Sequence, residues 1–562
     1  MFELANFNQT ILPDVFFEQA RWVDRLFPRR PKVKILVVVD TSVGLSGGFG
    51  IGKAVSLIRA NVDSYVRFDV DQADLGRKRS LLQVNAAPGP TQPKYENFRF
   101  SSRVNGRFVI NDYDQIWCFG FAPTLHSGGS DTQVTGSPYA ATDNDMAVLT
   151  DWMNKGGGVF ATGDHYVLGA AMAYQIPRVR NMRRWTIAEG VPPISGPARF
   201  DTHQPADSDQ DPKVKDPPDE IPGSAQTDNV PQPVEWKRYP LFSASIFQRR
   251  FRPHPVLCGG ELGVIDVFPD HAHEGWLYED DDVNLNATYE FGDVSGDEFP
   301  EIDGVRPRPE IIGWANTLAD PPHNHDKGPT PARRFGLVGI YDGDPIDYGR
   351  VVVDSTWHHW MDLNLNGLEA ESPNTEFQKI ARYFRNVAVW LSRKRQRSQM
   401  LNYSTFWASI LAENVQDVNT ARPVNWLGGS GIDVIGRVAS DCLVRDWINI
   451  FIPPRLRYPI LNRPVLPDPC LSCPPIDFLQ EAIANGVLRE MAVVREKTFN
   501  TRFEKTLQKA FSKLDPKLEK AKQRGLKAGM KEYTRAVSES EKALRQFNAD
   551  VRGSLAPKKR AG

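Results

Sequence analysis

The sequence predicts an α/β protein: a doubly wound, mostly parallel sheet that carries a proline-rich insertion and is followed by an α-helical extension. Three observations predict it. KVKILVVVD (32–40) is an unbroken, largely β-branched run of the kind that forms a strand buried on both faces. The same signal returns at YVRFDV (65–70), QIWCFGF (115–121) and GGVFATG (157–163), with helical patterns near 52–60 and at DMAVLTDWMNK (145–155). Strands alternating with helices build parallel sheets. From residue 476 onward the apolar period is that of helices alone.

Taken in order, residues 1–30 read as a helical arm, because Phe16, Phe17, Ala20, Trp22, Val23 and Leu26 recur roughly every three to four positions before Pro28 and Pro31 stop the pattern. Residues 31–395 form the α/β domain. Within it, the stretch 187–240 is a proline-rich insertion: eleven prolines fall between Pro192 and Pro240 among many Asp and Ser residues, a composition that buries no core. GVIDVF (263–268) restores the strand signal, and RRFGLVGIYDGDPIDYGRVVVDST (333–356) reads as two strands joined by a turn. The helix 374–392 closes the domain. Residues 396–475 lack periodicity and are expected to form an irregular connection. Residues 476–552 are expected to form a helical hairpin, broken at Asp515-Pro516, and 553–562 a disordered tail.

Charge sharpens this division. The 562 residues hold 68 Lys+Arg and 69 Asp+Glu, but residues 491–562 hold 19 basic and 8 acidic ones, a net of +11. The stretch 253–305 has no Lys or Arg and fourteen acids, a density that requires solvent or bridging cations. The basic hairpin is expected to serve a protein partner or self-association, because both signs are interspersed along it; nucleic acid is not expected. No apolar run approaches the ~20 residues of a membrane helix, and the start MFELANFNQT lacks secretory features, so the expected location is the cytoplasm. Five cysteines give no disulfide framework, and the lone pair Cys470 and Cys473 lacks the second pair of a zinc site.

All ten histidines lie between His126 and His359. Imidazole beside carboxylate is what a divalent-metal site or an acid–base pair requires. Asp164 and His165 follow a predicted strand directly, where ligands of open α/β sheets bind. His358 and His359 follow the last strand in the same way; adjacent side chains point apart, so one can face the site while the other fills a hydrogen-bonded core niche. His271 and His273, two apart on an extended segment, would point to one side, with Glu274 beside them, as metal ligands or as part of a solvated loop; zinc, magnesium and calcium all remain open as the ion. Asp40 ends the first strand. Arg178, Arg183 and Trp185 lie close in sequence and either grip an anionic or sugar-like substrate or form the basic face of a helix. HNHD (323–326) reads as an exposed turn, and DLNLNG (362–367) lacks the closing Glu of a calcium loop. GGFGIGK (47–53) fits the phosphate-loop spacing, but Ala54 stands where a hydroxyl would hold Mg²⁺.

The order of GGGVFATGDHYVLG (156–169) and GRVVVDSTWHHW (349–360) resembles the class I glutamine-amidotransferase-like, flavodoxin-like fold, and is most similar to trehalose-utilisation-type proteins. The resemblance spans residues 32–392. It implies a site at the sheet's carboxyl edge and a carbohydrate-related substrate. It also implies a nucleophilic cysteine on the turn after the GGG strand, but the turn here reads Gly163, Asp164, His165, so glutaminase activity is not expected. The chain is therefore expected to be a metal-assisted hydrolase or lyase of a small polar molecule, using Asp164, His165 and His358 or His359. The alternatives are a non-catalytic scaffold acting through its helical tail and, less favoured, a nucleotide-binding protein.

Overall fold

The computed structural model describes residues 30–40, 43–44, 47, 50–76, 93–120, 141–163, 168–186, 189–191, 231–241, 250–269, 275–317, 332–356, 358–370, 374–411, 431–452, 476–499 and 514–555. The chain divides into two compact units, an α/β unit (10–239 and 252–397) and a unit made chiefly of 398–562 with 1–9 and 240–251. Residues 1–29 of the expected arm 1–30, most of the insertion 187–240 and the tail 553–562 beyond Leu555 lie outside the described residues.

The α/β unit is built on β1 (Lys32–Val39), β2 (Arg67–Asp74), β3 (Gln115–Phe119), β4 (Gly158–Thr162), β5 (Arg183–Arg184), β6 (Trp276–Leu277), β7 (Glu310–Thr317), β8 (Arg333–Tyr341) and β9 (Val351–Asp354). Its sheet runs β2-β1-β3-β4-β9-β8-β6-β5, with β7 on the other edge of β8. The pairs β1–β2, β1–β3, β3–β4 and β4–β9 are parallel, whereas β8 is antiparallel to β9, β6 and β7. This is a mixed α/β fold with a largely parallel central sheet.

Every residue of β3, β4 and β9 is buried, which is why these strands read as continuous apolar runs without alternation. Side chains alternate between two cores. Leu36, Val38, Ile116, Cys118, Val159 and Ala161 face Met146, Leu149 and Trp152 of α2 (Asp143–Asn154). On the other face Trp117 and Phe160 meet Trp360, which stacks on Phe384 of α5 (Thr375–Trp390) with ring centroids 4.2 Å apart. The helix α1 (Gly52–Arg59) also packs against α5. Helix α2 starts where it does because Thr142 and Asp145 form a reciprocal capping box, satisfying two N–H groups that the first turn would leave open.

The edge strand β2 is covered in its second half by the backbone of residues 94–98, which bonds Gln72 and Asp74, and in its first half by side chains. Asn61, held at φ 56°, accepts from Phe68 N and donates to Phe68 O, imitating a strand partner, and the Arg59 guanidinium donates to Val70 O. These contacts occupy edge groups of Phe68 and Val70 that would otherwise be open to edge-to-edge association.

Three features differ from the sequence expectation. The strand β7 was not anticipated: EIIGWANT mixes Gly, Asn and Trp and follows the acid-rich stretch. The insertion also contributes structure, since Glu235–Trp236 pairs with β7 and Pro231–Pro233 with Val267–Pro269. Residues 396–475 are not irregular throughout: α6 (Lys394–Leu411), α7 (Gly431–Ala439) and α8 (Asp441–Asn449) lie there. Helix α6 is buried at every position from Met400 to Phe406, so no one-sided stripe marks it, and α7 is rich in Gly, Ile and Val, which mimic a strand. Cys470 and Cys473 lie outside the described residues.

The hairpin is present as α9 (Ile476–Phe499) and α10 (Leu514–Leu555). They run antiparallel, because residues 525 and 529 of α10 meet 486–487 and 482–483 of α9. Gly486, Gly525 and Gly529 form the contact, and no apolar period marks them in the sequence.

Candidate site at the carboxyl edge of the sheet

The parallel strands end together. Asp40, directly after β1, is fully buried; its backbone N–H donates to Phe119 O and its Oδ1 accepts from Val43 N at 3.1 Å. Beside it, Gly120 follows β3. A Cβ there would lie 2.5 Å from Asp40 Oδ2, so glycine is needed to seat the carboxylate. Gly169, at φ 88°, brings the chain back across the ends of β3 and β4, close to Gly120 O and Thr162 O. Thr162 Oγ1 donates to Thr356 O at 2.7 Å, tying the end of β4 to the end of β9.

Arg183 holds this edge from within. It is fully buried, donates from Nη1 to Asp354 O at 3.0 Å and lies over Trp185 at 4.6 Å. Two glycines close on its guanidinium: a Cβ on Gly163 would sit 2.6 Å from Nη1, and one on Gly275 would sit 2.4 Å from Nη2. Gly275 N donates to Ser355 O at 2.9 Å. Asp164 and His165 follow Gly163 in the chain, and His271, His273 and Glu274 precede Gly275; all five lie outside the described residues, as does the HNHD turn.

The arginines expected to act together are separated. Arg178 donates from Nη2 to Asn154, which precedes β4, and lies over Tyr348, which precedes β9; it therefore stands at the amino edge, opposite Arg183. The reason is local: residues 176–182 form turns instead of a helix, with Arg178 at φ 72°, so i to i+5 spacing does not bring the side chains together. Trp185 is buried and supports Arg183.

The two adjacent histidines are both enclosed. His359 Nε2 bonds Asp354 Oδ2 at 2.9 Å, the ring stacks on Phe268 at 4.4 Å, and Asp354 also accepts from Trp360 Nε1 at 2.9 Å and Tyr383 OH at 2.7 Å. His359 is thus the core-niche member of the pair. His358 is buried in the same short 3₁₀ turn, its N–H directed to Thr356 Oγ1 and its carbonyl accepting from Asn364.

Two chemistries lose support here. Cys118 is inside β3, and burial pushes its thiol up to about 12, so it carries no useful thiolate near neutral pH. At the phosphate-loop motif, Lys53 pairs with Glu369 and Asn366 of α4 (Asp362–Ala370), while the Lys53 backbone N–H donates to Asp362 Oδ1 at 2.7 Å. A carboxylate of the chain itself occupies the N-terminus of α1, where a phosphate would have to sit.

In the acidic stretch, side-chain cations answer several carboxylates. Lys237 bridges Asp280 and Glu310, and the fully buried Glu298 accepts from Arg180 and from Arg178 N.

Burial raises Asp362 to about 6, against an opposing pull from Lys53. An aspartate raised above its unfolded value near ~4 makes folding less favourable at pH 7 than at pH 5, and stability from this group grows as pH falls through 6. Asp362→Asn, which keeps an oxygen for Lys53 N–H, is expected to raise stability at pH 7.5 by about 1 kcal/mol after allowance for solvent screening, and to flatten that slope. Urea unfolding at pH 5 and 7.5 measures both; a variant with the wild-type slope would refute the assignment.

No known protein family, characterised protein or solved structure matches the chain. No helix among the described residues is long and apolar enough to cross a membrane.

Proposed function

We propose that the α/β unit is a cytoplasmic, metal-assisted hydrolase or lyase acting on a small, polar, carbohydrate-related molecule at the carboxyl edge of its sheet. The observation that carries this reading is the Arg183 clamp. Gly163, which opens the Gly-Asp-His run, and Gly275, which closes the His-Ala-His-Glu run, pack on one buried guanidinium beside the ends of β4 and β9. The strand order β2-β1-β3-β4-β9 supports the flavodoxin-like, doubly wound description, in which ligands bind outside the carboxyl ends of the strands. It is also compatible with a class I amidotransferase-like domain, nearest to the trehalose-utilisation type, that lacks the cysteine nucleophile.

In this proposal His165 and His358 move protons, Asp164 orients one of them, and Asp40 accepts hydrogen bonds from substrate hydroxyls. His271, His273 and Glu274 are the ligands for a divalent ion, which would supply Lewis acidity and a water activated at neutral pH. Asp354 and His359 hold the turn that carries His358.

The test is metal retention. After dialysis, addition of Zn²⁺, Mg²⁺ or Ca²⁺ is expected to give one bound ion per chain and a higher melting temperature, and His271→Ala or His273→Ala should weaken ion binding at least tenfold, whereas His165→Ala should weaken binding of the small-molecule ligand. A chain that binds none of these ions, with His165→Ala unchanged in ligand binding, would overturn the proposal. A second reading, assembly through the helical unit, draws its support from the length of α10.

A further inference from the structure

We propose that the chain forms a homodimer by pairing the second half of α10 with the same segment of another copy in a two-stranded coiled coil. Helix α10 is continuous over 42 residues, whereas α9 has 24. Gly529 lies against Ala482 and Ile483, so in an antiparallel pair Ile476 stands opposite position 535 or 536. Residues 537–555 therefore continue for about 28 Å past the start of α9, at 1.5 Å per residue.

That continuation carries a regular seam. Met530, Tyr533, Val537, Leu544, Phe547 and Val551, with Ser540 in step, recur at alternating intervals of three and four. The period is 3.5, which keeps a narrow face in register only against a partner helix that supercoils with it. The seam lies about 70° round the helix from the Gly525–Gly529 contact, and residues 537–551 of it lie past the start of α9; Met530, at its near end, is 37% exposed.

Length and charge point to a second copy as the occupant. Among the described residues the next longest helix is α9, and it is already seated on the glycine seam. A self-pairing seam meets a partner of matched length and layers. The tail as a whole has excess positive charge, but residues 531–552 hold five basic and four acidic residues, so two copies can lie together without net repulsion. A polyanion would instead favour a segment where the excess is concentrated. This assembly is independent of the chemistry proposed for the carboxyl edge.

Sedimentation equilibrium of the full chain at about 1–50 μM tests it. The expected mass is twice the 63.2 kDa of one chain. Leu544→Lys with Phe547→Lys should give the single-chain mass while leaving the urea midpoint of the remaining transition unchanged. Ser540→Leu fills the polar step in the seam and should tighten the dimer at least tenfold, a gain that misfolding cannot imitate. A wild-type monomer at 50 μM, a dimer that survives the double lysine variant, or no tightening by Ser540→Leu would each overturn the proposal. So would a monomer in which the lysine pair exposes amides of the α/β unit to hydrogen exchange, since the seam would then be covered within one chain.

Discussion

Asp354→Ala is expected to destabilise the α/β unit by about 4 kcal/mol, because it strands three buried donors at once and each unsatisfied donor costs ~1–3 kcal/mol. Asp354 ends β9 with no solvent exposure, and its two oxygens accept from His359 Nε2, Trp360 Nε1 and Tyr383 OH. The donors cannot turn to water: His359 and Trp360 are essentially unexposed, and Tyr383 is packed between Phe268 and Phe384. Removing the carboxylate also relieves its own desolvation, which keeps the expected loss below the sum of three maximal penalties. Tyr383→Phe deletes one donor together with its need for an acceptor and should cost only about 1 kcal/mol. In the double variant the two losses should not add, since Asp354→Ala has already removed the hydrogen bond that Tyr383→Phe deletes. Urea unfolding followed by tryptophan fluorescence reads all three. An Asp354→Ala chain within 1 kcal/mol of wild type would show that the cluster does not hold this turn.

The same cluster explains why the adjacent histidines were only half legible. Spacing alone says that His358 and His359 point apart after a strand; it does not say which one meets a carboxylate. That is decided by Tyr383 and Phe268, which are 24 and 91 residues away and close one side of the turn. Asp40 was more readable, because a carboxylate at the end of a buried β-branched strand is placed by the sheet itself. The arginine cluster was misleading for a local reason: a left-handed residue at Arg178 sends the chain through turns, and no residue type there announces it. Strands β3, β4 and β1 from Ile35 onward were visible because both their faces are buried and the apolar run has no gap. Helix α6 was invisible for the same physical cause, since burial on all sides erases the helical stripe as well. In this chain, burial on both faces reveals a strand and conceals a helix.

The glycines between α9 and α10 gave a sequence signal that periodicity cannot weigh, and their replacement is the second large effect expected. Substituting alanine for glycine inside a helix ordinarily stabilises it by up to about 1 kcal/mol, through lower chain entropy in the unfolded state. At Gly525 packing opposes that gain. A Cβ there would lie 2.4 Å from Val487 Cα, 2.6 Å from Val487 N and 2.7 Å from the Gly486 carbonyl carbon. These are backbone atoms of a helix, which cannot rotate away as a side chain would. The helices must therefore part, and the contacts of buried Ile483, Val487 and Ala521 at this interface loosen along its length. A Cβ on Gly529 would likewise lie 2.5 Å from Ala482 O, and one on Gly486 2.3 Å from Gly525 O, so there is no room for a compensating tilt. Overpacking typically costs ~1–3 kcal/mol, and backbone on backbone belongs at the upper end. Gly525→Ala is thus expected to lose about 2 kcal/mol net, and Gly525→Val to prevent the hairpin from closing. Ser538→Ala, at an exposed position of the same helix, should stay within about 0.5 kcal/mol of wild type. Hydrogen exchange across 476–499 separates the cases: Gly525→Val should lose protection there while β1, β3 and β4 keep theirs. If Gly525→Ala is as stable as Ser538→Ala, the close approach of the two helices is not what holds the hairpin together.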